Sequence, residues 1–320
     1  MTASTSGLLD TLKRVVLSGH QQHGSVEVFH LRWPAGDGLD YATLDEALQS
    51  GEIEITEISE QGHVPKIKIV NRSARMVLLI AGEQVVGCKQ NRVMNASMMV
   101  PAKSEMPIPV TCVESGRWGY RSPAFTSGDT LSHSSLRSMM SAQSLSSYKR
   151  SGVPISDQSA VWREVSRKIG AMKSYSESDS LQDVFHDYDA KLKDIMQALT
   201  APTDCNGAVF VVGGRIAGAD FFDKPETLRK LWPKLVKSCA IDALEPSEQG
   251  PASPEPEAIL SWLQSAAGAT AEAFPSPGAG EDVRIEGENV LGASLVVEDH
   301  PVHMELFRRA VAGTGSTTGS

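Results

Sequence analysis

Apolar and polar residues alternate through the first third of the chain, in the pattern expected of β-strands with one buried face. In residues 53–57 every second position is apolar, which places Glu57 on the same face as Ile53 and Ile55. The predicted strands are residues 26–31, 53–57, 66–70, 76–81, 93–100 and 106–114. Because short turns join them, they favour an antiparallel sandwich or a barrel-like unit over residues 24–120.

Proline placement constrains the last of these strands. Pro107 and Pro109 lack the N–H group that a strand donates to its neighbour. We therefore expect residues 106–114 to form an edge strand or a bulged strand. By parity, Cys112 lies on an apolar face, and Glu114 continues that face at the end of the strand.

The character of the chain changes after residue 120. Residues 122–151 contain 11 serines and few apolar positions, which predicts a long mobile surface loop with one helical turn near residues 136–140. Such a loop beside a polar cluster is suited to act as a lid. The alternative is a disordered insertion.

A helical period returns after this segment. Ser156 or Asp157 can cap one helix and Ser180 can cap a second, because each precedes apolar residues at helical spacing. Gly213-Gly214 stands between two apolar runs and predicts a β-hairpin. Pro225 is placed to begin a third helix.

These patterns together predict an α+β fold, in which the antiparallel β-sandwich or barrel-like unit is followed by a mixed unit of helices and a hairpin. The predicted segments are an antiparallel β unit over 24–120, a Ser-rich loop over 121–154, helices plus a β-hairpin over 155–245, a Pro-rich linker with a helix and closing strands over 246–310, and a disordered tail over 311–320.

The composition is that of an ordinary soluble globular protein. The chain has 320 residues, of which 41% are apolar and 22% are charged, and its formal net charge is −9. This negative balance argues against binding to nucleic acid or to anionic membranes, because both need a basic surface. No run approaches the roughly 18 apolar residues that predict a membrane span.

The N-terminal residues and the spacing of the cysteines indicate the cellular compartment of the protein. Asp10, Lys13 and Arg14 interrupt the apolar residues near the N terminus, which is unlike a secretion signal. The four cysteines form no Cys-x-x-Cys pair and no dense disulfide pattern. We therefore expect a cytoplasmic protein.

One stretch, Gly82 to Trp118, combines strand-like alternation with polar residues that a sheet does not need for stability. Carboxylates at the rim of a sheet can have raised pKa values, so Glu83 and Glu114 are candidate catalytic acids or bases, with Glu57 as a third. Two of them flanking a sugar could cleave a glycosidic or N-glycosidic bond. The alternative is that each carboxylate forms a structural ion pair.

The same stretch holds the candidate ligand-binding residues. Gln90, Asn91 and Arg92 carry side chains suited to phosphate, carboxylate or ribose hydroxyl groups. Arg117 and Trp118 could clamp a flat group by charge and stacking. The alternatives are a hydrogen-bonded structural turn and a tryptophan that packs on the end of the sheet.

Other reactive residue types carry less weight. Cys112 is expected to be a buried, unreactive thiol because of its parity with apolar neighbours. His20 and His23, and later His300 and His303, are metal-ligand types, but their context does not match a zinc-protease helix. We predict no metal site, and no cofactor can be named.

The polar stretch resembles the ARG and rhodanese-phosphatase-superfamily-associated domain, in which ARG stands for ADP-ribosylglycohydrolase. The resemblance rests on Gly82-Glu83, Gly87, Gln90-Asn91-Arg92, Cys112-Val113-Glu114 and Gly116-Arg117-Trp118. Similarity extends to Gln158-x-x-x-Trp162 and the hairpin, so it covers most of residues 24–245.

This resemblance implies a metabolic context but no particular reaction, because no reaction is assigned to the family. Its name implies genomic association with ADP-ribose-processing enzymes, and so a role near NAD or ADP-ribose metabolism in bacterial stress or conflict. The residues that it nominates are Glu83, Gln90, Asn91, Arg92, Glu114, Arg117 and Trp118.

The leading hypothesis is a cytoplasmic module that binds a nucleotide-like or ADP-ribose-derived ligand at Gln90–Arg92 and Glu114–Trp118. In its enzymatic version, Glu114 or Glu83 is the acid–base group and a neighbouring arginine holds a phosphate. Under this hypothesis, Arg92→Ala abolishes ligand binding without unfolding the protein.

The alternative is a non-catalytic protein–protein adaptor. In that case the polar residues form a structural network, and the Ser-rich segment docks a protein partner. Destabilisation by several kcal/mol in Arg92→Ala and Glu114→Ala would favour the network.

Overall fold

The computed structural model describes residues 3–34, 39–246 and 250–309, and it confirms the α+β class. The predicted tail over residues 311–320 lies outside the described residues. The described helices are α1 (Ala3–Leu12), α2 (Leu44–Gln49), α3 (Ser134–Ser151), α4 (Gln158–Met172), α5 (Leu181–Asp187), α6 (Asp189–Ala198), α7 (Pro225–Ala243) and α8 (Pro256–Ala267).

The strands form three sheets. In chain order they are β1 (Val16–His23), β2 (Val26–Arg32), β3 (Tyr41–Thr43), β4 (Ile53–Glu57), β5 (Lys66–Asn71), β6 (Met76–Leu79), β7 (Glu83–Gly87), β8 (Arg92–Met94), β9 (Met98–Val100), β10 (Ser104–Cys112), β11 (Phe125–Leu131), β12 (Gly207–Val212), β13 (Arg215–Phe222), β14 (Thr270–Pro275), β15 (Glu281–Glu286), β16 (Val290–Val297) and β17 (His300–Arg308).

The largest sheet is antiparallel and has the strand order β1-β2-β12-β13-β17-β16-β15-β14. It contains β2, which the sequence analysis placed in a unit over residues 24–120, and β2 pairs there with β12. The reason is burial, because Val26, Val28 and Leu31 are buried and the backbone N–H and C=O groups of a buried strand need hydrogen-bond partners on both edges.

A six-stranded antiparallel sheet carries the polar stretch. Its order is β11-β7-β8-β10-β5-β4, and the two edge strands β11 and β4 approach each other, so the sheet forms a half-barrel. The alternation predicted for β4 is confirmed, since Ile53, Ile55 and Glu57 are its buried positions. A small third sheet, β3-β6-β9, packs with this half-barrel around one core.

The two prolines of β10 occupy positions that fit their missing N–H groups. Pro107 and Pro109 pair only with β5, whereas β8 joins on the other side at Val110–Cys112. The prediction of an edge strand over 106–114 is therefore only partly confirmed, because β10 lies between β5 and β8 in the sheet and only its first half pairs on one side.

Helix α7 lies between the half-barrel and the large sheet, because it contacts both β11 and β12. Leu228, Leu235 and Ile241 of this helix are buried in the shared core. The predicted caps Asp157 and Ser180 are confirmed, since each side chain accepts a hydrogen bond at the start of its helix.

The prediction of a mobile loop over residues 121–154 is wrong. This segment contains β11 and the 18-residue helix α3, whose buried positions include Leu136, Met140 and Tyr148. Serine hydroxyls on the buried face find partners nearby, as when Ser144 Oγ donates to the carbonyl oxygen of Asn95 at 3.1 Å. Serine favours loops only when its hydroxyl competes with the backbone, and here the tertiary structure satisfies it.

Three smaller expectations also change. Apolar residues at helical spacing predict one short helix over residues 1–20, but the observed helix ends at Leu12 and Val16 begins β1. The predicted strand over 93–100 is two strands in different sheets, separated by residues 95–97. Strand β14 was not predicted, although residues 270–273 alternate between polar and apolar types.

Candidate functional site

Most of the nominated polar residues meet where the β7–β8 turn lies beside the end of β10. The backbone N–H of Asn91 donates to Glu114 Oε2 at 2.9 Å, and Asn91 Oδ1 accepts from the backbone N–H of Gly87 at 3.1 Å. We call Gln90, Asn91, Arg92, Glu114 and Arg117 the polar cluster.

Glu114 and Arg117 form the centre of the polar cluster. Arg117 donates from Nε to Glu114 Oε1 at 2.8 Å and from Nη2 to Glu114 Oε2 at 2.6 Å. Its Nη1 donates to the carbonyl oxygens of Cys88 at 2.5 Å and Gly119 at 2.7 Å. Since Ser178 Oγ also donates to Glu114 Oε1 at 2.6 Å, both side chains are engaged within the protein.

These contacts decide the protonation state of Glu114. Burial raises the pKa of this carboxyl group, but hydrogen bonds from Arg117, Ser178 and the backbone of Asn91 outweigh burial and leave the pKa below its usual value. Glu114 therefore stays ionised at neutral pH, whereas a general acid must carry a proton.

Arg92 lies beneath the surface with no exposed side-chain area. Its Nη2 is 3.4 Å from Glu57 Oε1, its Nη1 donates to Gln90 Oε1 at 3.2 Å, and Nη1 also contacts Cys112 Sγ. Gln90 and Asn91 are buried as well. This burial leaves Gln90, Asn91 and Arg92 no surface for direct contact with a ligand, so their role is to support the residues above them.

Glu83 lies apart from the polar cluster. Its Oε1 accepts from Lys234 Nζ at 2.8 Å, and its Oε2 accepts from the backbone N–H of Ile80 at 2.9 Å. Burial raises the pKa of Glu83, and the opposing effect of Lys234 is smaller. Glu83 is the first residue of β7, whereas Asn91 and Arg117 of the polar cluster contact Gly87 at the other end of that strand, so Glu83 and Glu114 lie near opposite ends of β7.

Cys112 is buried, as predicted. Burial raises the pKa of its thiol to about 11, against the lowering effect of Arg92.

We predict that iodoacetamide at pH 8 alkylates Cys112 in the folded protein about 100-fold more slowly than in the unfolded chain, because the thiolate is the reactive form. Peptide mass spectrometry over a time course, with the guanidinium-unfolded protein as control, measures both rates, and equal rates would contradict the assignment.

Residues 117–121 continue the chain from the polar cluster to the protein surface. We call this segment the wall. One side of the wall borders a cleft of about 580 Å³, and the residues that line it are Gly116, Arg117, Arg121, Tyr175, Glu177, Ser178, Asp183, His186 and Asp187. The guanidinium of Arg121 makes no hydrogen bond or ion pair with the residues that the structure describes. Across the cleft, Asp183 accepts from Ser176 Oγ at 2.6 Å, and Asp187 accepts from the backbone N–H of Tyr175 at 3.2 Å.

The other side of the wall carries Trp118 and Tyr120, which are 48% and 52% exposed. Together with Tyr175, they are the exposed aromatic side chains of the described part of the chain, and all three border this one region. The sequence analysis nominated Trp118 and missed Arg121 and Tyr175. No local pattern marks those two residues, because the wall and the segment before α5 meet only in the folded chain.

Among the described residues, no group of three histidine, cysteine or acidic side chains is placed to hold a metal ion. In the same residues, no helix has the length and apolarity to cross a membrane.

Comparison with known proteins gives one match. The profile of the ARG and Rhodanese-Phosphatase-superfamily-associated Protein domain covers residues 14–307, which is more of the chain than the motifs alone indicated. No curated protein and no solved structure matches the chain.

Proposed function

This chain belongs to the ARG and Rhodanese-Phosphatase-superfamily-associated Protein domain family, and we propose that it is a module that binds a nucleotide-like ligand in the cleft beside the wall. The observation that carries the proposal is the guanidinium of Arg121, which lines a cleft together with Tyr175 and has no hydrogen-bond or ion-pair partner among the described residues. A guanidinium binds phosphate oxygens in pairs, and an exposed ring offers a stacking face.

The lining of the cleft carries both charges. Arg121 provides the cation, since Arg117 is already neutralised by Glu114. Glu177, Asp183 and Asp187 provide carboxylates. Carboxylates accept hydrogen bonds from sugar hydroxyls and repel phosphates, so a ligand with an anionic end and a hydroxyl-bearing end matches this polarity.

A ribose phosphate has both ends, which is why we infer a nucleotide-like ligand. The family's name associates it with ADP-ribosylglycohydrolase, and an ADP-ribose-derived molecule has the same chemistry. Neither Glu83 nor Glu114 lines the cleft, so the proposed function is binding and does not assign them an acid–base role.

Isothermal titration with AMP, ADP-ribose and NAD tests the proposal. We expect saturable binding of at least one of them, and a loss of about 10-fold or more in affinity in Arg121→Ala, because a charge-assisted pair with phosphate is removed. Arg163→Ala on α4 is the matched control, since Arg163 is also an exposed arginine. Binding that is equally strong in Arg121→Ala would contradict the assignment of the site.

A protein–protein adaptor remains the second candidate. One observation favours it, which is the set of exposed apolar side chains Ile58, Val64, Trp118 and Tyr120 at this end of the half-barrel. The Ser-rich segment does not supply the docking surface, because α3 buries much of it. Saturable, Arg121-dependent binding of a small ligand would favour the module over the adaptor.

A further inference from the structure

A serine, a histidine and an aspartate form a hydrogen-bonded chain where the half-barrel region meets the large sheet. Ser97 Oγ is 2.8 Å from His303 Nδ1, and His303 Nε2 is 3.1 Å from Asp220 Oδ1. The three residues come from the segment between β8 and β9, from β17 and from β13. A hydroxyl, an imidazole and a carboxylate linked in this order can activate a serine as a nucleophile.

The direction of each hydrogen bond follows from the ionisation of Asp220. Burial raises the pKa of Asp220, but Arg137 and His303 outweigh it and hold the pKa at about 2, so the carboxylate has no proton to donate at neutral pH. A neutral His303 therefore carries its proton on Nε2 and accepts through Nδ1. Because Ser97 Oγ already accepts from the backbone N–H of Ala81 at 2.9 Å, its own proton is directed at His303.

The charges around His303 favour the transfer of this proton. Arg137 is shared by two carboxylates, at 2.6 Å from Asp220 and 3.0 Å from Glu305. With Glu305 ionised, two carboxylates and one guanidinium leave an excess of one negative charge beside the imidazole. An imidazolium is stabilised by such an excess, which is the condition for His303 to act as a general base.

The accessible surface of this chain of residues lies at its hydroxyl end. Ser97 is 9% exposed, and Ala81, which donates to its hydroxyl, is 8% exposed. His303 and Asp220, by contrast, are 1% and 2% exposed. Such limited access at Ser97 admits only a small reacting group, and it keeps bulk water away from the imidazole.

Two backbone donors at Ser97 are free. The N–H groups of Ala96 and Ser97 donate to no acceptor among the residues that the structure describes, although Ala96 has no exposed surface. Buried N–H groups are nearly always paired, so free donors beside a hydroxyl indicate an acceptor that arrives with a ligand. Backbone N–H groups of this kind can hold the oxyanion that forms during acyl transfer.

We propose that Ser97 is the nucleophile and His303 the general base of an acyl-transfer site for small esters. Neither residue lines the cleft, so this site is independent of the proposed ligand-binding function. Asp220 is a positioning residue, because it holds the imidazole in the required tautomer.

The reaction has two stages. Ser97 Oγ attacks the carbonyl carbon of the ester while its proton passes to His303 Nδ1. The bond to the leaving alcohol then breaks, the alcohol takes the proton from His303, and the acyl group stays on Ser97. Water attacks this acyl group by the same route, which releases a carboxylic acid and restores the hydroxyl.

The small activated ester p-nitrophenyl acetate tests the proposal. We expect a burst of about one equivalent of p-nitrophenolate per chain, because acylation by an activated ester is faster than deacylation. Peptide mass spectrometry should locate the acetyl group on Ser97. Ser97→Ala is expected to lower the burst rate by about 100-fold or more. Ser144→Ala is the matched control and should keep the burst, since Ser144 is a buried serine of the same region that donates to the carbonyl oxygen of Asn95.

Asp220→Asn separates positioning from structural support. An asparagine amide can donate to His303 Nε2, which leaves Nδ1 protonated and unable to accept from Ser97. We expect acetylation of Ser97 in the folded variant to be about 10³- to 10⁴-fold slower. Glu305 still pairs with Arg137 in this variant, and urea denaturation measures any loss of stability separately. A less stable variant that is acetylated at the wild-type rate would overturn the positioning role.

Circular dichroism first establishes that each variant is folded. Absence of acetyl-Ser97 in the wild type, or an equal burst in Ser97→Ala, would overturn the acyl-transfer site. Either result leaves the proposal for the cleft standing, because Arg121 takes no part in this reaction. If Ser97→Ala does not fold, the position of the acetyl group in the wild type decides, and acetylation of lysines alone would refute the assignment.

Discussion

Replacing Arg137 by alanine is expected to lower the free energy of unfolding by about 3–5 kcal/mol, the largest effect that we predict for a single substitution. Arg137 lies on α3 and is almost entirely buried. Its Nη1 donates to Asp220 Oδ2 at 3.0 Å, while its Nη2 donates to Asp220 Oδ1 at 2.6 Å and to Glu305 Oε2 at 3.0 Å. Removing the guanidinium leaves Asp220 and Glu305 buried without the cation that they share.

The same network ties together distant parts of the chain. His303 is 3.1 Å from Asp220 through Nε2 and 2.8 Å from Ser97 Oγ through Nδ1. Ser97 in turn accepts from the backbone N–H of Ala81 at 2.9 Å. The network therefore joins the half-barrel region, α3 and the large sheet, which is why its loss should affect global unfolding.

Urea denaturation followed by circular dichroism measures this effect. Arg163→Ala is the control for loss of an arginine from a helix, because Arg163 is exposed. We expect the free energy of unfolding of this variant to differ from that of the wild type by less than about 0.5 kcal/mol. A loss below about 1 kcal/mol in Arg137→Ala would contradict a buried network at this position.

The network also predicts a direction of pH dependence. Burial raises the pKa of Asp220, but Arg137 and His303 outweigh it and hold the pKa at about 2. A lowered folded-state pKa means that the ionised carboxylate stabilises the fold above its unfolded pKa of about 4. That stabilisation is lost as the pH falls toward 2, so the wild-type advantage over Arg137→Ala should shrink in acid.

Replacing Glu114 by alanine is expected to be the second large effect, lowering the free energy of unfolding by about 3 kcal/mol or more. The substitution removes the acceptor for Arg117, for Ser178 Oγ and for the backbone N–H of Asn91. Because the side chain of Arg117 is only 14% exposed, its charge would be left largely buried and without its carboxylate, although its hydrogen bonds to backbone carbonyl oxygens remain.

A matched control lies in the same region, since Glu177 is an exposed carboxylate that lines the cleft. We expect Glu177→Ala to change the urea midpoint little.

Repeating the comparison of wild-type protein with Glu114→Ala at pH 7 and pH 3 adds a second test. The lowered pKa of Glu114 means that its contribution is present above its unfolded pKa and is lost as the pH falls, so the two proteins should converge in acid. A gap that stays constant with pH would contradict the ion pair.

The stability of Glu114→Ala also distinguishes between the two hypotheses drawn from the sequence. A large loss of stability in Glu114→Ala, together with a similar loss in Arg92→Ala, would identify the polar cluster as the support of the wall. Ligand affinity would then depend on Arg121, which lines the cleft, and Arg121→Ala would leave stability unchanged.

Much of the local structure follows from the sequence alone. Alternation in β4 and β5, glycines in the β12–β13 turn and caps at Asp157 and Ser180 depend on neighbours within a few residues, and each was predicted correctly. The motifs around Gly82–Trp118 likewise identified the family, because they are short and contiguous.

Only the tertiary structure decided the remaining features, because these features depend on contacts between residues far apart in the chain. It formed a helix from the Ser-rich segment, because buried hydroxyls of α3 found partners on other elements. It placed β2 beside β12, some 180 residues later, because the backbone N–H and C=O groups of a buried strand need partners on both edges. It also turned the most polar residues inward as a network and left Arg121, Trp118 and Tyr175 at the surface, which no local pattern distinguishes.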